Sequence, residues 1–166
     1  EGLRFTHAYA ACPVCIPARR TLMTGRTPAG HGVFMNVHAP LEGPTLPECL
    51  GAAGYQTHLA GKLHLWPCRK SYGFQSSDWA DSPHNPVEGG DDYQRFLRRE
   101  GVFLRRPAMA HGAHCNGWNA RPWHLAEHLH FTNWCTDRAL DFLERRDPTR
   151  PFFLKVSYHQ PHQPCT

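Results

Sequence analysis

The chain has 166 residues, a formal net charge of +4, and 40% hydrophobic against 19% charged residues, a balance that excludes a disordered segment and suffices to bury a core. Its basic residues come in short pairs such as Arg19/Arg20, Arg98/Arg99 and Arg145/Arg146, not in the clustered stripe that a nucleic-acid surface requires. No run of about 18 apolar residues exists to span a bilayer, and seven cysteines cannot all pair within one chain.

In chain order, the alternation Leu3, Phe5, His7, Tyr9 predicts a strand running toward Ala11. Cys12 to Pro17 predicts a turn, followed by a helix over Ala18 to Thr24 that Gly25 ends, with Pro17 in its first turn and Cys15 at its N-terminus. Residues 26 to 44, rich in Gly, Pro and His, read as loop. Thr45 caps a short helix through Leu50 to Ala53, with Pro47 in its first turn, and Gly54 stops it. Tyr55 to Ala60 reads as a strand that delivers Gly61-Lys62-Leu63-His64 to its C-terminal end.

From Trp66 to Pro122 the pattern is irregular, and only Asp92 to Glu100 predicts a helix, for which Asp91 and Asp92 form an N-terminal charge pair. Thr132 is expected to begin a helix over Asn133 to Arg146, with Cys135, Ala139, Phe142 and Leu143 on its apolar face. Asp147-Pro148 ends it. Phe152 to Ser157 then reads as a buried strand ending in His159-Gln160-Pro161-His162. This alternation predicts an α/β fold with a mostly parallel central sheet flanked by helices, whose ligands bind beyond the carboxyl ends of the strands.

Cys12 and Cys15 form a CxxC, which is half of a zinc or redox motif. Its other half is missing, since Cys49, Cys68, Cys115, Cys135 and Cys165 are solitary. Cys15-Ile16-Pro17-Ala18-Arg19, continued by Leu22-Met23-Thr24-Gly25-Arg26, resembles instead the CxPxR signature of the type I sulfatases and their phosphonate and phosphodiester hydrolase relatives, within the alkaline-phosphatase-like superfamily. An anion bound at that helix start is expected to meet free backbone N–H groups and the positive end of the helix dipole.

The resemblance implies that a maturation enzyme oxidises Cys15 to formylglycine (3-oxoalanine), whose gem-diol attacks the ester and passes through a covalent sulfo-enzyme intermediate. It implies that Arg19 stabilises the developing charge. Gly61-Lys62-Leu63-His64-Leu65 resembles the family's Gly-Lys-Trp-His-Leu segment. By that match Lys62 neutralises sulfate oxygens and His64 acts as a base on the diol; an extended chain would point both to one face. In the turn after the last strand His162 matches the histidine that contacts sulfate or protonates the leaving alcohol, with His159 as a wall. His84 matches a further sulfate-contacting histidine. Asn119, Arg121, Trp123 and His124 form a polar and aromatic loop that shapes substrate choice or, for Trp123, the core.

The family's calcium or other hard divalent ion would find only one ligand here, residue 15 as formylglycine. The metal-binding Asp pair is expected before Glu1, and the remaining metal ligands and a second Lys beyond Thr166. Residues 1–166 are therefore expected to be the front part of a sulfatase catalytic domain, acting on a small sulfated substrate, with little turnover alone. The alternatives are a phosphonate monoester or phosphodiester hydrolase on the same apparatus and, from another class, a non-catalytic metal-binding or interaction module. The sequence leaves the compartment open.

Overall fold

The computed structural model describes residues 2–81, 90–104, 106–110 and 112–166. They fall into two compact units, Glu1–Leu46 with His64–Lys70, and Pro47–Leu63 with Ser71–Thr166.

The first unit is organised around helix α1, Cys15–Thr24. Ile16, Arg20 and Met23, at i, i+4 and i+7, form its buried face. Gly25 closes it in the left-handed conformation, φ 68°, with its N–H on the Thr21 carbonyl at 2.8 Å. Arg20 can be buried because its guanidinium donates to the carbonyls of Ala39 and Pro40, at 3.0 Å each. A short helix α2, Pro28–His31, interrupts the expected loop; Thr27 caps it, accepting the Gly30 N–H at 3.2 Å, and Pro28 sits in its first turn.

The loop that follows runs back to α1 and is pinned by the His38 ring stacked on Trp66 at 4.8 Å and by a bridge between Pro40 and Trp66. The strand expected over Leu3 to Ala11 does not form: Leu3 and Phe5 are exposed, and no described strand pairs with the segment. Alternation alone cannot hold a strand that has no ladder partner.

The second unit holds helix α3, Leu46–Ala52, from which Leu46 itself falls in the first unit, and then strand β1, Gln56–Gly61. Strand β2, Ser76–Trp79, helix α4, Asp92–Arg99, helix α5, Phe131–Arg145, and strand β3, Phe152–Ser157, follow. The sheet order is β2-β1-β3, all parallel, with His58 opposite Ser76 and Leu154. The fold is thus α/β, a parallel sheet flanked by helices. The central β1 is buried beyond its first residue, whereas β3, expected to be buried, exposes Phe152 and Val156. An edge strand has a neighbour on one side only.

Helix α5 buries Phe131, Trp134, Cys135 and Ala139, an i, i+3, i+4, i+8 stripe. Of the other residues expected there, Phe142 is half-buried against the His58 ring at 4.6 Å and Leu143 is exposed. The helix begins earlier than expected, and its cap is not Thr132 but His130, whose Nδ1 accepts the Thr132 N–H at 3.2 Å. Tyr93 of α4 meets Phe131 edge-on at 5.2 Å and satisfies its hydroxyl on the Leu129 carbonyl at 2.7 Å.

Candidate active site

In the first unit Cys15 is the first residue of α1, half-buried, with Arg19 one turn on and also half-buried. Spacing i, i+4 puts the two on one helix face. The expectation that an anion here meets several free amides is corrected by the first turn itself. The Ile16 N–H is taken by the Asn36 side-chain oxygen at 2.9 Å, Pro17 has no N–H, and the Ala18 N–H closes on the Val14 carbonyl at 3.1 Å. Cys12 and Cys15 are both free thiols, and the Cys12 Sγ points to the Phe34 carbonyl at 3.9 Å.

His64 belongs to this first unit and is half-buried. Its φ of 52° is left-handed, and β1 has already ended at Gly61, φ 103°. The expectation that Lys62 and His64 share one face of an extended strand therefore fails: alternation ends where the backbone leaves the β region.

In the second unit, the carboxyl end of β1 is built with little tolerance. A Cβ on Gly61 would lie 2.3 Å from the Ser157 carbonyl oxygen and 2.8 Å from the Cys135 Sγ, so only glycine lets the strand pass. Lys62 follows, 2% exposed, its N–H on the Ser157 carbonyl at 2.9 Å. An ammonium this deeply buried is stable only beside negative charge or acceptors. The Leu63 N–H donates to Asp81 at 3.1 Å, the Asp81 N–H to Asp91 at 3.1 Å, and Asp91 also caps α4 through the Gln94 N–H at 2.8 Å. Asp92 accepts the Trp79 N–H at 2.8 Å. Asp91 and Asp92 are thus the expected helix-start pair, and they also tie α4 to the end of β2.

The turn after β3 carries the two histidines. His159 is buried and edge-on to Phe131, and the His162 ring lies 4.9 Å from it. His159 lines a cavity of about 20 Å³ with Tyr93, Trp123, His130 and Phe131. The His162 N–H reaches the His159 carbonyl at 3.1 Å, and its Nδ1 is 2.8 Å from the Gln163 carbonyl. A carbonyl only accepts, so Nδ1 carries a hydrogen.

Trp123 is half-buried and packs against the core: it lies edge-on to His130 at 5.0 Å and donates Nε1–H to the Ala126 carbonyl at 3.1 Å. The Arg121 N–H joins its loop to the Cys165 carbonyl at 3.0 Å. His84 lies outside the described residues. Among the described residues no group of three or more His, Cys, Asp or Glu side chains could hold a metal ion. The donor set for a divalent ion is therefore not formed by them. Sequence reasoning missed Asn36, Asp81 and the cap His130, each of which acts on a partner remote in sequence or through an unconventional cap.

The family model described as Sulfatase matches residues 1–166. An arylsulfatase of Clostridium perfringens is 35% identical over 182 residues, covering 99% of this chain and 37% of that protein. Among solved structures, a protein in complex with its substrate D-glucosamine-2-N,6-O-disulfate matches with a TM-score of 0.63 and 24% identity, over 98% of this chain and 28% of that one. A phosphonate monoester hydrolase of Agrobacterium radiobacter matches with a TM-score of 0.67 and 21% identity, over 92% of this chain and 32% of that one. Both structural likenesses show the fold. The chain spans between 27% and 37% of the first three curated relatives it matches. With the Cys15-Ile16-Pro17-Ala18-Arg19 signature at the start of α1 and the family's match over the whole chain, this protein belongs to the sulfatase family.

Proposed function

We propose that the protein hydrolyses sulfate monoesters of a small substrate, with residue 15, converted from Cys to formylglycine by a maturation enzyme, as the nucleophile. The observation that carries this reading is the placement of Cys15 at the first position of α1 with Arg19 one turn on, inside a motif and a chain that match the family throughout. The modification would supply a gem-diol oxygen that attacks sulfur. The remaining chemistry belongs to the chain's own side chains.

Arg19 offers charge-assisted hydrogen bonds to an oxyanion, and Lys62 brings a buried positive charge to the sulfate oxygens. His162, with Nδ1 committed to the Gln163 carbonyl, presents Nε2 as the group that protonates the departing alcohol. His64 takes the proton whose loss lets sulfate leave and the aldehyde return. His84 is a further sulfate contact in this reading. A hard divalent ion, Ca²⁺ in this proposal, would lower the charge at the site; apart from residue 15 its ligands are to be sought outside the described residues.

Peptide mass spectrometry on the segment containing residue 15, from protein made beside a maturation enzyme, tests the reading. An aldehyde trapped by a hydrazide is the expected result, with loss of activity in Cys15→Ala; an intact thiol in active protein refutes it. A second reading, phosphonate ester hydrolysis, draws support from the fold shared with the phosphonate monoester hydrolase. Relative kcat/KM on aryl sulfate and phenylphosphonate esters separates the two. A zinc-binding module would need further ligands beside the CxxC, and among the described residues no group of three or more His, Cys, Asp or Glu side chains is placed to hold a metal ion.

A further inference from the structure

Helix α1 starts on the proposed nucleophile, and its N-cap residue is Val14, which offers no side-chain acceptor. The first-turn amides of such a helix are left unsatisfied unless another segment supplies an oxygen. Asn36 does so from 20 positions along the chain, accepting the Ile16 N–H at 2.9 Å. That N–H belongs to the peptide linking residues 15 and 16. Fixing it fixes the plane of this peptide and, because the backbone of residue 15 is helical, the direction in which its Cα–Cβ bond points.

The segment holding Asn36 is itself anchored. Arg20 grips the carbonyls of Ala39 and Pro40, and His38 stacks on Trp66. The residues flanking Asn36 show that the segment is not there to fill a core, since Phe34, Met35 and Val37 are exposed. A clamp anchored by the buried Arg20 and by a ring stack, with one polar contact made at the residue next to the nucleophile, has the layout of a positioning device.

We propose that Asn36 is a positioning residue for the nucleophile, its amide oxygen holding the peptide after residue 15 so that the residue-15 side chain keeps its angle of attack. The inference rests on the sulfatase reading of Cys15. A small misplacement of a reacting group costs rate more than binding, so Asn36→Ala in the full-length protein should lower kcat about 10- to 100-fold per mole of aldehyde. KM should stay within about threefold. Asn36→Asp, which keeps the acceptor oxygen, should hold kcat within about threefold of the parent.

Hydrogen exchange at the Ile16 amide provides a readout independent of turnover and should accelerate about tenfold or more in Asn36→Ala. If Asn36→Ala lowers only the melting temperature and leaves kcat per aldehyde unchanged, Asn36 is a helix cap and the proposal is overturned. An Asn36→Asp protein as slow as Asn36→Ala overturns it too, because the oxygen is then not what matters. A parent protein without aldehyde or sulfatase activity is a failure of the functional reading. In that case the exchange measurement decides: faster exchange at Ile16 upholds the anchoring of residue 15, and an unchanged rate overturns it.

Discussion

Gly61→Ala is the most severe small change the structure offers. The backbone there has φ 103°, a region in which an L side chain costs about 1–3 kcal/mol. The added methyl would stand 2.3 Å from the Ser157 carbonyl oxygen and 2.8 Å from the Cys135 Sγ. Relief requires β1 and β3 to separate where the Lys62 N–H meets Ser157, a loss of about 1 kcal/mol for the bond, or a shift of α5, with an overpacking cost of about 1–3 kcal/mol. The sum is about 2–6 kcal/mol, a large part of the ~5–15 kcal/mol that holds a typical protein folded.

Urea unfolding, followed by far-ultraviolet circular dichroism and by tryptophan fluorescence, would measure the loss. Cys135→Ala added to Gly61→Ala should recover less than half of it, because the contact with the Ser157 backbone remains. A Gly61→Ala protein within about 1 kcal/mol of the parent would refute this account of how β1 ends.

Two further predictions concern pH. The His130 pKa is lowered below its ordinary 6.5 by burial, against an opposing pull from Glu127, and its unprotonated Nδ1 caps α5. Because the folded value lies below the unfolded one, this stability is complete above pH 6.5 and is lost as pH falls through the lowered value. The drop in melting temperature between pH 7.5 and 5 should therefore be smaller in His130→Asn, which caps without titrating; an identical drop would count against the cap. Burial pushes the Cys135 thiol up from 9.0 to about 11. Its contribution is present below pH 9 and is lost as pH rises toward 11, an effect of about 2–3 kcal/mol. That alkaline loss should be absent in Cys135→Ala, and at pH 8 iodoacetamide should spare Cys135 while labelling the exposed Cys49 and Cys165; equal labelling would refute the burial argument.

What the sequence made legible was whatever is contiguous. The residues from Cys15 to Gly25 announce a helix, its start and its stop, because proline and glycine punctuate a short local pattern. β3 is visible as an apolar run after Pro151, and β1 as a short segment bounded by Gly54 and Gly61. β2 is not, since Ser76-Ser77-Asp78-Trp79 carries no strand signal and is held extended by pairing with β1. The same-face placement of Lys62 and His64 failed because the strand ends at Gly61 and His64 turns to a positive φ, for which a histidine gives no signal in sequence. Asn36 could not be found from sequence: its partner lies 20 residues away, and an asparagine in a Gly- and His-rich stretch is indistinguishable from a turn residue.

The two buried carboxylates that follow β1 have a consequence for which substitutions the protein can bear. Leu63 hangs on Asp81, Asp81 on Asp91, and Asp91 on the first turn of α4, so the exit of β1 and the entry of α4 form a single articulated joint held by two side chains. Disturbance at the helix start is transmitted to the residue beside Lys62 without any ligand contact being touched. Tolerance here is governed by acceptor chemistry more than by size: asparagine can stand in for either aspartate in part, and alanine, though smaller, unlinks the joint.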